Sequence, residues 1–261
     1  MSSVPADRAV TAPHVERDLG DYVEQYERLP FEPLQAGLRR RRVLQQVRAA
    51  APVRLLEIGC GVSPLLTDLP EVAEIVVLEP ARAFAETARA AALGRAGVRV
   101  VEALAEDADP ADLGGAFDVV VLSSLLHEVP DPQTLLQAVR TFCGPTSVLH
   151  VNVPNARSLH RQLAVAMGLV EDVFALSSIQ QQMQQRATYD LERLRGELAT
   201  AGFSVARWGT VLVKPFPHAG MQRLVDTGFL TPELLDGLDA LAALLPEIGS
   251  ELWVDAVLAD G

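Results

Sequence analysis

Cysteine, aromatic side chains and basic charge are all scarce in this chain. Two cysteines, Cys60 and Cys143, occur in 261 residues. They are too few for a disulfide framework and fall outside any Cys-x-x-Cys or Cys/His spacing, so both are expected reduced and no structural metal is expected. No apolar run approaches the roughly 18–20 residues of a membrane span. The stretch from Met1 to Thr11 lacks the basic and then apolar pattern of a secretory signal. A cytoplasmic protein with no membrane partner is the expectation. Basic residues number 22 against 34 acidic ones, giving a formal net charge of −12. A phosphate backbone demands a basic face, so nucleic acid is not expected as a partner. The one basic cluster, Arg39 to Arg42, is four consecutive residues and therefore points around a helix rather than along one stripe. It reads as a solvated helix face, with an anion site as the alternative.

Apolar material is plentiful. Hydrophobic residues make up 49% of the chain and the mean hydropathy is +0.19, enough for a sizeable core in one main domain with added helical pieces. After a polar start, Asp18 to Ala50 reads as helix interrupted near Pro30 and Pro33. Leu34, Leu38, Val43, Leu44 and Val47 then fall near helical spacing. The pattern changes at Val53–Ile58, Ile75–Leu78, Val98–Val101, Phe117–Leu122 and Val148–Val153. These short aliphatic runs alternate with Ala- and Leu-rich stretches such as Ala81–Leu93 and Gln133–Phe142. Such alternation predicts a parallel sheet covered by helices on both faces. Helices are further predicted over Arg157–Leu169, Tyr189–Ala201 and Pro232–Leu245, and late strands over Phe203–Val213 and Glu251–Leu258.

The segment that carries most chemical information is Leu55-Leu56-Glu57-Ile58-Gly59-Cys60-Gly61-Val62-Ser63-Pro64. A strand runs into Gly59 and Gly61, which let the backbone turn sharply and approach a ligand without a Cβ between. Ser63 is a good helix N-cap and Pro64 suits a first helical position. Glu79 ends the strand Ile75–Leu78 and lies 22 residues beyond Glu57. A carboxylate there can accept both hydroxyls of a ribose. A dinucleotide fingerprint needs a third glycine where Pro64 stands, and Glu57 would face a diphosphate with like charge. S-adenosylmethionine (SAM) has no phosphate and carries a positive sulfonium and ammonium, so an acidic loop favours it.

Taken in order, LLEIGCG, VVLEP, the ALAED segment Ala103–Asp107, FDVVVLSSLLHEVPDP and VLHVNVPNARSLHR resemble the successive motifs of class I SAM-dependent methyltransferases. The resemblance covers roughly residues 50 to 160, and the late strands suit that family's final hairpin. It implies an α/β, Rossmann-like, mostly parallel seven-stranded sheet with helices on both faces and an antiparallel last strand. An N-terminal helical lid over residues 1–50 would precede a SAM-binding domain over 51–261, with helical insertions at about 156–200 and 215–249. By the same resemblance Glu57, Gly59, Cys60 and Gly61 would line the methionine and ribose portion, and Glu79 would hold the ribose. Ala105, Glu106 or Asp107 would meet the adenine, and Ser123 and Leu125 would pass close to the sulfonium. Ser63 departs from the common third glycine. Leu104 stands where many members carry an adenine-binding Asp, which leaves the adenine partner open.

Methyl transfer is an in-line displacement that needs positioning and, for a weak nucleophile, a base. His127, after the fourth strand, is placed either to take a proton from a substrate or to bond backbone at a helix start. Asn152 and Asn155, at the end of the fifth strand, either orient a polar group of the ligand or serve as turn residues. His160 on the following helix is a candidate to reach the cleft. Tyr189 either places its ring against the sulfonium by cation–π attraction or packs as an ordinary tyrosine. Tyr22, Tyr26 and Phe31 belong to the N-terminal segment, which resembles a lid that closes over the cofactor. The expected cofactor is SAM as co-substrate, without a metal. The expected partners are a small-molecule substrate and, at most, a second copy of the chain in a homodimer. Methyl transfer to a small molecule is the first expectation. An intramolecular alternative has the SAM amine attack its own chain, giving azetidine-2-carboxylate and methylthioadenosine. A non-catalytic SAM-binding subunit is the third.

Overall fold

A computed structural model describes residues 30–177, 180–181 and 185–259. Its seven strands are β1 (Arg54–Ile58), β2 (Glu74–Leu78), β3 (Val98–Val101), β4 (Phe117–Ser123), β5 (Cys143–Pro154), β6 (Phe203–Val211) and β7 (Glu251–Leu258). They form one sheet in the order β3-β2-β1-β4-β5-β7-β6. β7 runs antiparallel to both β5 and β6, while the pairs from β3 to β5 are all parallel. The helices are α1 (Glu32–Ala50), α2 (Arg82–Ala91), α3 (Pro132–Thr141), α4 (Leu159–Ala166), α5 (Leu191–Thr200), α6 (His218–Asp226) and α7 (Pro232–Leu244).

The strand pleat sorts the apolar residues into two layers. Leu56, Val76, Val120 and Val151 face a core shared with Leu136 and Val139 of α3 and Leu194 and Leu198 of α5. Leu55, Val77, Val119 and Val121 face the opposite way, against Val43, Leu44 and Val47 of α1 and Phe84 and Ala88 of α2. A third cluster joins Phe31 and Leu38 at the start of α1 to Val211, Leu212, Met221 of α6 and Trp253 of β7. The insertion between β6 and β7 thus packs onto the N-terminal part of α1.

Strand order reverses between β1 and β4. In an open α/β sheet that leaves a crevice outside the carboxyl ends of the strands, which is where such sheets bind ligands. Two local expectations are corrected. No α-helix begins after the glycines; a 3-10 turn covers Leu65–Asp68, Pro64 stays extended with ψ 140°, and Ser63 does not cap it. Helix α6 lies within the helical insertion expected at about 215–249, but its own bounds were not delimited, because Pro215, Pro217 and Gly220 give that stretch the composition of a loop.

Candidate functional site

Gly59 and Gly61 take left-handed φ values of 73° and 54°, a region that disfavours any side chain. Gly59 N–H donates to Leu78 O at 2.8 Å, pinning the loop to β2. A Cβ on Gly59 would lie 3.2 Å from Leu125 Cδ2, so Leu125 closes one side of the loop, whereas a Cβ on Gly61 would meet no atom within 4 Å. The Gly61 side is therefore open. Glu79 sits beside it: Oε2 accepts the Gly61 N–H at 3.2 Å and Oε1 accepts the Ala81 N–H at 2.9 Å. Each oxygen keeps a further lone pair for a ligand.

Glu57 does something else. Both its oxygens accept the Leu65 N–H, at 3.1 and 2.9 Å, and the side chain is buried. It thus caps the 3-10 turn in place of Ser63. Burial pushes its carboxyl up to about 8 against the smaller pull of the Leu65 amide and Arg40. Glu57 accordingly stays largely protonated at neutral pH, and the expected like-charge repulsion of a diphosphate by Glu57 does not hold; Glu79 is the carboxylate at the loop. The Cys60 thiol is buried and pushed up, mainly by desolvation, so it stays protonated.

Beyond β3, Leu104 is exposed and Ala105 is buried in the short 3-10 turn Ala105–Asp107, with Glu106 exposed. Val62 on the glycine loop is also exposed, so two apolar side chains stand bare along this edge. At the tips of β4 and β5, Ser123 pairs with Asn152. Ser124 takes a left-handed φ of 54° and its N–H donates to Asn152 O at 3.0 Å. Asn152 Nδ2 reaches Ser124 Oγ at 3.3 Å and Glu251 Oε2 at 3.4 Å, while its buried Oδ1 has no partner among the described residues.

From Asn152 a polar network runs beneath α1. Glu251 Oε1 accepts from Gln35 Nε2 at 2.7 Å, and Arg39 forks onto both Glu251 oxygens at 2.6 Å each. Arg39 also reaches Glu32 Oε1 at 2.9 Å. Gln35 Oε1 accepts from Lys214 Nζ at 2.6 Å. The arginine cluster is therefore not a merely solvated face. Arg40 binds Asp68 and the carbonyls of Ser63 and Pro64, Arg41 binds Asp236 and Asp239, and Arg42 lies over the Trp253 ring at 5.8 Å.

The other sequence candidates separate. Tyr189 is buried in the core shared with α3 and α5, on the sheet face opposite Asn152, and its hydroxyl is pushed up to about 12 by burial; it packs as a core tyrosine and does not face the crevice. Asn155 spends its amide on Glu247 O and Gly249 O, both at 2.8 Å, and its oxygen on the Arg157 N–H, so it is a turn residue. His127 is buried with Nε2 3.5 Å from Glu128 Oε1, and its carbonyl accepts the Arg186 and Ala187 N–H groups. His160 presents a buried Nδ1 with no partner among the described residues, and desolvation followed by Lys214, Arg161 and His218 keeps its ring neutral. Phe31 is buried at the start of α1 with a left-handed φ of 66°. Tyr22 and Tyr26 lie outside the described residues.

Lys214 escaped the sequence reading because a single cation forms no spacing pattern. Its signal is compositional: it is the only lysine in the chain, beside 21 arginines, yet it is 1% exposed. Among the described residues no group of three or more His, Cys, Asp or Glu side chains is placed to hold a metal, and no helix is long and apolar enough to cross a membrane.

This arrangement of sheet, glycine loop and strand-tip carboxylate matches a family. A model of the methyltransferase domain matches residues 22–207, and the chain belongs to that methyltransferase family, with its class I Rossmann-like fold. Among solved structures, 1,6-didemethyltoxoflavin-N1-methyltransferase of Burkholderia thailandensis, bound to its substrate and S-adenosylhomocysteine, is similar at 16% identity over 98% of this chain and 94% of its own, with a TM-score of 0.61. A SAM-dependent methyltransferase of Mesorhizobium loti is similar at 17% identity over 82% and 96%, with a TM-score of 0.55. The [4+2]-cyclase SpnF is similar at 17% identity over 83% and 81%, with a TM-score of 0.52. No curated protein matches.

Proposed function

We propose that the chain binds SAM across the tips of β1, β2 and β4 and passes its methyl group to a small-molecule acceptor held beneath α1. The observation that carries this is the pairing of Glu79 with Gly61: a carboxylate 3.2 Å from a loop amide, beside a position where a Cβ would meet nothing within 4 Å. Glu79 holds the ribose hydroxyls, and Val62 and Leu104 offer apolar surface to the adenine, with Glu106 at its rim; Ala105 packs in the core beneath them. The unpartnered Oδ1 of Asn152 suits a donor such as the ammonium of the methionine portion, since a buried acceptor left unpaired costs on the order of 1–3 kcal/mol. Ser123 and Leu125 flank the reacting sulfur. SAM supplies the methyl group and a good leaving group; the protein supplies orientation and exclusion of water.

Support for a small acceptor comes from the roof. Helix α1 is anchored by Arg39 to Glu251 at the start of β7 and turns Gln35 and Arg39 toward the polar tip of β5 at Asn152, which suits a small polar acceptor. The test is incubation of the full chain with SAM, alone and with a panel of small phenols, enols and amines. SAM is expected to stay intact alone and to yield S-adenosylhomocysteine only with an acceptor. Release of methylthioadenosine from SAM alone would replace methyl transfer with intramolecular cyclisation.

A further inference from the structure

Resting on that reading of the site, we infer that Lys214 is the acceptor-side base, and that the acceptor presents a weakly acidic hydroxyl, a phenol or enol, to its Nζ. Lys214 follows β6, and among the described residues its one hydrogen bond goes to Gln35 Oε1 at 2.6 Å, leaving two of its donor positions or, in the free amine, a lone pair to a ligand. It is joined through Gln35 and Glu251 to Asn152 at the β5 tip, so it lies on the same sheet edge and the same face as the crevice. Within electrostatic reach of it, the ring of His160 carries a buried Nδ1 with no partner among the described residues. A buried amine with a single bond and an orphaned ring nitrogen in its field form an incomplete polar set, which a ligand oxygen completes.

Groups of both signs surround Nζ. Glu32 and Arg39 reach it from α1, His160 from α4, His218 from α6 and Glu251 from β7. Both histidines are held neutral by burial and by Lys214 itself. A carboxylate has no proton to give a free amine, whereas a weakly acidic hydroxyl passes its proton to Nζ and stays as an ion pair, so the transfer changes no net charge. Burial lowers the Lys214 ammonium to about 8, against the pull of Glu32 and Glu251. A free amine is therefore available near neutral pH, as suits a base working there.

In the step, the acceptor O–H bond breaks with its electron pair left on oxygen, and an N–H bond forms on Nζ. The oxygen then takes the methyl group while the S–C electron pair stays on sulfur, and the ammonium later returns the proton to water. The Phe31 ring centroid lies 5.9 Å from Nζ and 6.2 Å from the His218 ring, giving the amine an aromatic wall.

A sole lysine gives a sole resonance when lysine is isotopically labelled at Cε. The full chain, saturated with S-adenosylhomocysteine, is titrated with and without para-nitrophenol. The resonance is expected to titrate near 8, and the phenol is expected to hold it in the ammonium form above that midpoint. The bound phenol should in turn show phenolate absorbance below its own free midpoint, and K214M should lose that absorbance while binding S-adenosylhomocysteine unchanged. A resonance titrating at the ordinary lysine value, or one indifferent to the phenol in protein that binds S-adenosylhomocysteine, overturns the role of Lys214. Failure to bind S-adenosylhomocysteine at all instead overturns the proposed function.

Discussion

Glu79 at the tip of β2 accepts the amide of Gly61 across 3.2 Å, so the carboxylate and the glycine loop are set against each other. Replacing Glu79 by Ala removes an acceptor that a ribose would share. A hydrogen bond to a charged group contributes about 1.5–3 kcal/mol, which corresponds to roughly a ten- to hundredfold loss of affinity. Calorimetric titration with S-adenosylhomocysteine on protein that still unfolds cooperatively should show that loss, beside a lowered thermal midpoint, because the Gly61 and Ala81 amides lose their acceptor. Unchanged affinity would remove Glu79 from the site.

Gly61 separates binding from folding. Because its Cβ position meets nothing within 4 Å, G61A should cost only the left-handed strain, about 1–2 kcal/mol, yet place a methyl group in the cradle. Folded protein that no longer binds S-adenosylhomocysteine is the expected result. G59A, pressed 3.2 Å from Leu125, should destabilise at least as much.

Glu57 gives a pH signature. Its folded carboxyl lies near 8, while an unfolded glutamate titrates near 4.3. The folded state therefore binds the extra proton between these values, so the stability Glu57 contributes is full below the lower value and is lost as pH rises through the upper one. E57Q keeps an acceptor for Leu65 and cannot ionise. Urea unfolding from acidic to mildly alkaline pH should show a downward slope in the parent chain that is flatter in E57Q. Parallel profiles would contradict this.

The roof rests on Arg39 and Glu251, the latter side chain 2% exposed. Removing Arg39 alone strands a buried carboxylate, and breaking such a pair costs on the order of 3–5 kcal/mol. R39M should lower the urea midpoint markedly, and adding E251L should recover much of the loss. Equal effects of the single and double changes would show that the pair does not act as a unit.

The sheet was legible because each buried strand is a short aliphatic run between helical stretches; Val98–Val101 and Glu251–Leu258 match to the residue. β5 begins earlier than Val148, at Cys143, since Gly144 and Pro145 read locally as a turn while tertiary pairing with β4 extends them. The glycine loop and Glu79 were legible from spacing. The polar network beneath α1 was not, because Gln35, Arg39, Asn152, Lys214 and Glu251 come from four separate elements and only the sheet order brings them together. Tyr189 stayed open between two readings for the same reason: position along the chain does not disclose which face of a sheet a loop residue returns to, and the structure packs it in the core.

The most direct measurement is a calorimetric titration of the full chain with S-adenosylhomocysteine and, separately, with a nicotinamide dinucleotide. Saturable binding of the first at one site per chain, and none of the second, is the predicted result. Retention of the dinucleotide by protein that ignores S-adenosylhomocysteine would contradict the assignment of the glycine loop and Glu79 to a sulfonium nucleoside.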